Sequence, residues 1–275
     1  MFSSKLLRIT ALSCLVGQSL ANLLTSIPQK ATASALKFQP YLDFDKDSCY
    51  NIAAIDAKGN LNTGLDPGKY PKTERCRTLE HMKHSNVYVR QRCNNGWCAY
   101  MYAYYSEKDW NSLPVKTHLH RHEWEHIIVW TYHGKKAHVS WSAHSGYTTE
   151  AAKDIRWHGT HPKFVAHHGG ALNNSFRKAK KSDDDHLENH YGRWWATWLL
   201  SIELMNPVLV PKLTQGPGGY WGDSARADFG DCYLGGVVVD HKFGDMLNSA
   251  MPSQAKGKFD PWLDDSGVGH PPDCP

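Results

Sequence analysis

Long apolar runs are scarce in this sequence. Beyond the first two dozen residues no segment is apolar enough to span a bilayer as a helix, which excludes later helical membrane spans. Internal repeats and long low-complexity stretches are also lacking, so nothing divides the chain into an array of modules. An excess of one charge is missing too: 31 Lys and Arg stand against 27 Asp and Glu, a net charge of +4. The densest basic run, Arg177-Lys178-Ala179-Lys180-Lys181, is followed after Ser182 by Asp183-Asp184-Asp185. It reads as a solvated loop, and no nucleic-acid partner is expected.

What is present begins with MFSSKLLRITALSCLVGQSLAN. Lys5 and Arg8 precede an apolar run from Ile9, and Ser19-Leu20-Ala21 supplies a small-x-small cleavage site. Residues 1–21 are therefore expected to be a secretory signal peptide, with a mature extracellular chain of one domain, 22–275. Cys14 leaves with that segment, and six cysteines remain: Cys49, Cys76, Cys93, Cys98, Cys232 and Cys274. An even number in a secreted chain implies a disulfide framework. Strand-like runs flank Asn94-Asn95-Gly96, a hairpin signal that sets Cys93 opposite Cys98 within bridging reach. Sequence order gives Cys49–Cys76 as the second pair and Cys232–Cys274 as the third. Asn173-Asn174-Ser175 is a glycosylation sequon with Asn173 as acceptor.

Short strand-like runs recur over Asn86–Arg92, Trp97–Tyr105, Trp124–Tyr132, Ala137–Trp141, Lys163–His167 and Leu234–Val239. Helical patterns are fewer, at Arg193–Leu200 and Phe243–Ser249. This predicts a β-rich single domain, a β-sandwich with peripheral helices. Asp43, Asp45 and Asp47 imitate the start of an EF-hand loop, but Ser48 and Ala54 stand where that loop needs Gly and Glu, so an ordinary acidic loop is expected. Trp194, Trp195 and Trp198 read either as core packing or as an interfacial belt at a lipid surface.

His122-Glu123-Trp124-Glu125-His126 spells H-E-x-x-H, the zinc-protease signature, which would suggest a metallohydrolase. That chemistry needs a helix, because only there do histidines four apart share a face. Ile127-Ile128-Val129-Trp130-Thr131-Tyr132 follows without a break and favours a strand. On a strand, Glu123 and Glu125 project from one face, with Trp124 and His126 on the other. His120 has the wrong parity for the carboxylate face and needs a bend near Arg121. With Asp109 alongside, the set is Asp109, His120, Glu123 and Glu125. Three carboxylates and one imidazole suit Ca²⁺ or Mg²⁺ better than structural zinc. A charged strand edge with salt bridges to Arg121 and His122 is the alternative.

His120-Arg121-His122-Glu123-Trp124-Glu125 resembles the heptapeptide GHRHDWE of the necrosis- and ethylene-inducing peptide 1-like proteins, the NLP or NPP1 family. Cys49 through Asp56 resembles the family's CYNVPAI segment. NVYVRQRCNNGWCAYMYAYYSEKD, from Asn86 to Asp109, is similar to fungal members, and the stretch from Ala227 resembles the family's C-terminal region. The resemblance implies a secreted sandwich similar to actinoporins and fungal lectins. It implies no enzyme activity and no catalytic residue. It implies a monomer that binds the sugar head group of glycosyl inositol phosphoryl ceramide sphingolipids of plant plasma membranes through a divalent cation. Asp109, His120, Glu123 and Glu125 then match the metal residues, and His144 matches a histidine near the sugar site. Trp194 or Trp198 would lean into the membrane.

The chain departs from the family pattern at several points. Leu119 replaces the heptapeptide glycine, and Glu123 replaces aspartate. The loop from Asp109 to His120 is longer, and Asn174-Ser175-Phe176-Arg177 stands where many members read THxFR. Three functions follow: a cation-dependent sphingolipid-binding cytolysin and virulence effector, a secreted non-cytolytic homologue, or a metallohydrolase. The non-cytolytic homologue would bind glycans or be sensed by a plant pattern-recognition receptor through the peptide from Ala99 to Arg121.

Overall fold

The structure is a computed structural model and describes residues 23–110, 120–143, 146–169, 173–215 and 240–267. The expected signal peptide, Leu119, His144, the strand over Leu234–Val239, Cys232 and Cys274 lie outside the described residues.

Two sheets form a sandwich. The strands in chain order are β1 (Tyr41–Phe44), β2 (Asn86–Asn94), β3 (Trp97–Asp109), β4 (His120–Tyr132), β5 (Lys135–Ala143), β6 (Gly146–Ala151), β7 (Trp157–His158), β8 (His161–Gly169), β9 (Asn173–Lys178) and β10 (Trp198–Ser201). The larger sheet has six strands in the order β10-β2-β3-β4-β5-β6. The smaller has four, β1-β8-β7 with β9 on β8. Short helices α1 (Ala33–Phe38), α2 (Leu79–Lys83), α3 (Val210–Gln215) and the longer α4 (Asp240–Ala250) lie at the periphery.

One core lies between the sheets. Val87, Val89, Tyr100, Tyr102, Tyr104, Ile127 and Val129 of the larger sheet meet Leu42, Phe44, Phe164, Ala166 and Phe176 of the smaller. A second core covers the far face of the larger sheet. There Tyr88, Met101, Tyr105, Trp124, Ile128 and Trp130 pack against Ile52, Ile55, Leu213, Phe243, Leu247 and Phe259. Burial on both faces explains why β2 and β3 are enclosed along nearly their whole length, without the in–out alternation of a half-exposed strand.

Local chemistry accounts for several elements. Asn95 and Gly96 have φ of 49° and 79°, the two left-handed residues of a tight hairpin turn. The turn sets Cys93 directly opposite Cys98, and the two are bridged, as are Cys49 and Cys76. In α4, Phe243, Leu247 and Ala250 fall on one buried stripe at helical spacing.

The helix expected over Arg193–Leu200 is not formed. Trp195 exchanges backbone hydrogen bonds with Leu42, and Trp198–Ser201 becomes β10, parallel to β2. A short apolar run does not by itself separate helix from strand, and two sheet edges supply its backbone partners here. The outer side of β10 is covered in turn by Lys30, which bonds Leu199 and Ser201. Trp198 is 49% exposed, whereas Trp195 packs against the inter-sheet core. Trp194 donates its indole N–H to Asp184 at 2.9 Å and lies under Lys163.

The acidic run of β1 and its turn is structural. Asp43 accepts from the backbone amides of Glu188 and Asn189, Asp45 pairs with Arg177, and Asp47 accepts from the His168 amide.

Candidate metal centre

HEWEH lies on a strand. β4 runs from His120 to Tyr132 without interruption, so His122 and His126 are about 13 Å apart along it, too far to share an ion. Both rings are enclosed on the face of Trp124, and burial pushes their pKa down, to about 3 for His122 and about 4 for His126. The His122 ring shares a 2.6 Å hydrogen bond with the Tyr105 hydroxyl. Trp124 packs on Tyr88 and Tyr105.

The bend that the parity of His120 demands is located at His122, whose φ is +64°. β3 and β4 pair antiparallel and place Asp109 opposite His120 and Ser106 opposite Glu123. The hairpin ends therefore bring an aspartate, a histidine and a glutamate together. His120 Nε2 is 3.0 Å from Glu123 Oε2 and 3.8 Å from Asp109 Oδ2. One ligand atom from each of the three lies within 4.8 Å of the others.

Each side chain is set by its surroundings. Asp109 is fully buried, and its Oδ1 accepts from the backbone amides of Trp110 and Asn174, both at 2.8 Å. Its Oδ2 is buried without a hydrogen-bond partner among the described residues. A buried carboxylate oxygen left in this state calls for an ion or water. His120 Nδ1 lies 2.7 Å from the carbonyl oxygen of His122. A carbonyl only accepts, so Nδ1 carries the proton and Nε2 faces the carboxylates, the arrangement common in metal-ligating histidines. Burial pushes the Glu123 carboxyl up to about 8, and burial followed by the Glu123 charge raises Asp109 well above the usual carboxylate range. An oriented imidazole and carboxylates that resist ionising together fit a divalent cation.

Glu125 is adjacent but differs from the other three. It shares the inter-sheet pocket with Glu123, Tyr104, Ser106 and Asn174. Its Oε2 accepts a hydrogen bond from the Ser142 hydroxyl, and it contributes no atom to the three-ligand group. Burial and the Glu123 charge raise its pKa. Arg121 turns away, with Nη1 3.2 Å from the Thr63 carbonyl.

The spacing of residues does not reveal three supports of the centre. Ser142 lies on β5, the Asn174 amide comes from the smaller sheet, and Gly64 abuts Arg121 and His122. Asn173 opens β9 beside them. The only sequence signal for Gly64 is that glycine readily adopts the left-handed conformation this turn requires.

The chain is similar to several known proteins. "NLP effector protein 10" of Phytophthora capsici is 38% identical over 129 residues, 45% of this chain and 51% of that protein. "Necrosis-inducing protein NPP1" of Phytophthora nicotianae is 38% identical over 128 residues, 45% of this chain and 50% of that protein. The chain spans about half the length of the curated relatives it matches. Among solved structures, "NLPPya in complex with mannosamine" has a TM-score of 0.60 at 24% identity, covering 83% of this chain and 96% of that one. "Crystal structure of non-toxic HaNLP3 protein" has a TM-score of 0.62 at 22% identity, covering 83% and 97%. At such identities the likeness is one of fold. The family description "Necrosis inducing protein (NPP1)" matches residues 32–231, which contain the whole three-ligand group, and the chain belongs to that family.

Proposed function

We propose that this protein is a secreted, non-enzymatic effector that uses a divalent cation, Ca²⁺ or Mg²⁺, to bind sugar-bearing sphingolipid head groups of plant plasma membranes. Asp109, His120 and Glu123 would hold the cation, with Glu125 beside it. The supporting observation is the convergence of three ligand atoms within 4.8 Å around a buried carboxylate oxygen that has no hydrogen-bond partner among the described residues. The bound cation would supply a positive centre for sugar hydroxyls and phosphate oxygens. The amino-sugar complexes of NLPPya are in keeping with a glycan ligand. Secretion rests on the N-terminal sequence, and lipid identity rests on the family resemblance. The test is vesicle leakage with glycosyl inositol phosphoryl ceramide present or absent, in Ca²⁺, Mg²⁺ or EDTA. Leakage confined to the sphingolipid vesicles with cation supports the reading, and leakage indifferent to both removes it.

A second reading is a secreted homologue that binds without lysing. It is favoured by Glu123, whose extra methylene carries its carboxylate further than the family's aspartate. The fold is compatible with it, because a protein described as non-toxic shares that fold. Binding to sphingolipid vesicles without leakage would select this reading.

A further inference from the structure

Lys72 and Arg75 adopt left-handed backbone, with φ of 50° and 64°. Glycine takes that conformation without strain, and a bulky residue there is an outlier. Both residues lie in the loop over residues 65–76, and both are basic. Lys69, from the same loop, is exposed, as is Lys72, while Arg75 is half-buried. The loop is fastened at several points. Cys76 is bridged to Cys49, and the Leu65 amide donates to the Glu107 carbonyl at 2.8 Å. The buried Lys108 ammonium donates to the carbonyls of Tyr70 and Glu74. Leu65 and Tyr70 pack with Trp110. The loop therefore stands on the residues that flank Asp109, beside the candidate cation centre.

Its cations are gathered around one ring. Lys69 Nζ is 5.2 Å and the Arg75 guanidinium 4.9 Å from the Tyr70 ring centroid, and Arg75 Nη1 donates to the Tyr70 hydroxyl at 3.0 Å. Arg121 lies close by, against the Thr63 carbonyl. The loop's two acids are engaged within its own frame. Asp66 accepts from the amides of Gly68 and Lys69, and the Glu74 charge bears on the Lys108 ammonium.

We infer that this loop is an electrostatic docking surface for an anionic bilayer, whose lipid phosphates meet Lys69, Lys72 and Arg75. Charge complementarity names the partner class, and the exposure of both lysines suits a broad surface rather than a small enclosed anion. The left-handed backbone at Lys72 and Arg75 is the strain accepted to present basic side chains where glycine would fit more easily. Attraction of this kind amounts to roughly fivefold in affinity for each basic residue near the surface, and it decays over a Debye length of about 8 Å at physiological salt. Alone it is weak. Beside the cation centre it keeps the protein at the membrane while a head group is engaged. The surface needs no divalent cation, so it and the cation-binding reading can fail separately.

The test uses the mature protein in EDTA at low salt, with vesicles of phosphatidylcholine alone or mixed with phosphatidylserine. The parent should bind only the anionic vesicles, and added NaCl should release it. Lys69→Glu/Lys72→Glu should weaken that binding by roughly tenfold or more. Lys135→Glu/Lys136→Glu makes the same charge change at the other end of β4, where Lys135 pairs with Tyr132, and should weaken it far less. Lys72→Gly relieves the left-handed backbone, so it should melt no lower than the parent yet bind the vesicles about fivefold more weakly. This variant decides the matter if the double variant does not fold. Undiminished binding in either loop variant, or equal losses from the two double variants, overturns the inference. So does a parent that ignores anionic vesicles. Displacement by inorganic phosphate beyond that of chloride at equal ionic strength overturns the bilayer assignment in favour of a soluble anion.

Discussion

The backbone amide of Asn174, on the smaller sheet, donates to Asp109 Oδ1 at the end of the larger sheet, at 2.8 Å. This bond couples the two layers at the candidate centre. It makes Asp109 both a structural acceptor and a metal-ligand candidate. The two roles separate in mutants. Asp109→Ala strands two buried amides and should lower stability by about 2–4 kcal/mol, and Asp109→Asn, which still accepts through Oδ1, by less. Ca²⁺ or Mg²⁺ should raise the melting temperature of the parent, and both variants should lose that rise. Thermal melts with and without cation distinguish the outcomes.

The pH dependence has a definite sign. Glu123 is pushed from 4.5 up to about 8, and Asp109 and Glu125 are also raised. A carboxyl raised by folding binds its proton more tightly in the native state. Its stabilising contribution is full below the ordinary value of 4.5 and is lost as pH rises toward about 8. The cation-free protein should therefore lose stability across that window. Cation must displace those protons, so its affinity should climb with pH, by roughly tenfold per unit for each proton released, and level off above the window. Isothermal titration of Mg²⁺ along a pH series checks both the slope and the plateau.

Gly64 should not tolerate a side chain. Its φ is +63°, and a Cβ there would lie 2.5 Å from Arg121 Cγ and 2.8 Å from His122 Cε1. The left-handed backbone alone costs an alanine about 1–2 kcal/mol. Gly64→Ala should lower the melting temperature and weaken cation binding, because the displaced His122 carbonyl orients His120. Chemical denaturation and cation titration of the variant measure the two effects.

The two disulfides should contribute unequally. Cys49–Cys76 closes a sequence separation of 27 and Cys93–Cys98 one of 5. Loop entropy gives about 3.5 kcal/mol for the longer loop and about 2 kcal/mol for the shorter. The Cys49→Ser/Cys76→Ser pair should also weaken cation binding, since Cys49 and Cys76 pack with Trp110, the residue after Asp109. Equal losses from the two double variants would contradict this ranking.

Much of this architecture is legible in the sequence because strands carry their partners with them. The turn at Asn95-Gly96, the β-branched run after His126 and the two-residue spacing of the glutamates each encode a local fact. Together they fix one hairpin end. The bend at His122 is legible only as a requirement: the parity of His120 demands one, but no residue type announces a histidine at positive φ. The Arg193–Leu200 segment misleads because its conformation is set by remote edges, Leu42 on one side and β2 on the other. Ser142 is invisible for the same reason, since nothing in its own neighbourhood names Glu125 as its partner.

The proposed bridge runs from a cation held by Asp109, His120 and Glu123 to a sphingolipid head group. Co-sedimentation of the parent and Asp109→Asn with vesicles containing glycosyl inositol phosphoryl ceramide tests that bridge. The parent should sediment with these vesicles in Ca²⁺ or Mg²⁺, stay in solution in EDTA and ignore phosphatidylcholine vesicles, and Asp109→Asn should stay in solution throughout. Equal sedimentation of the parent in EDTA and in cation, or equal sedimentation of the variant, would contradict the claim.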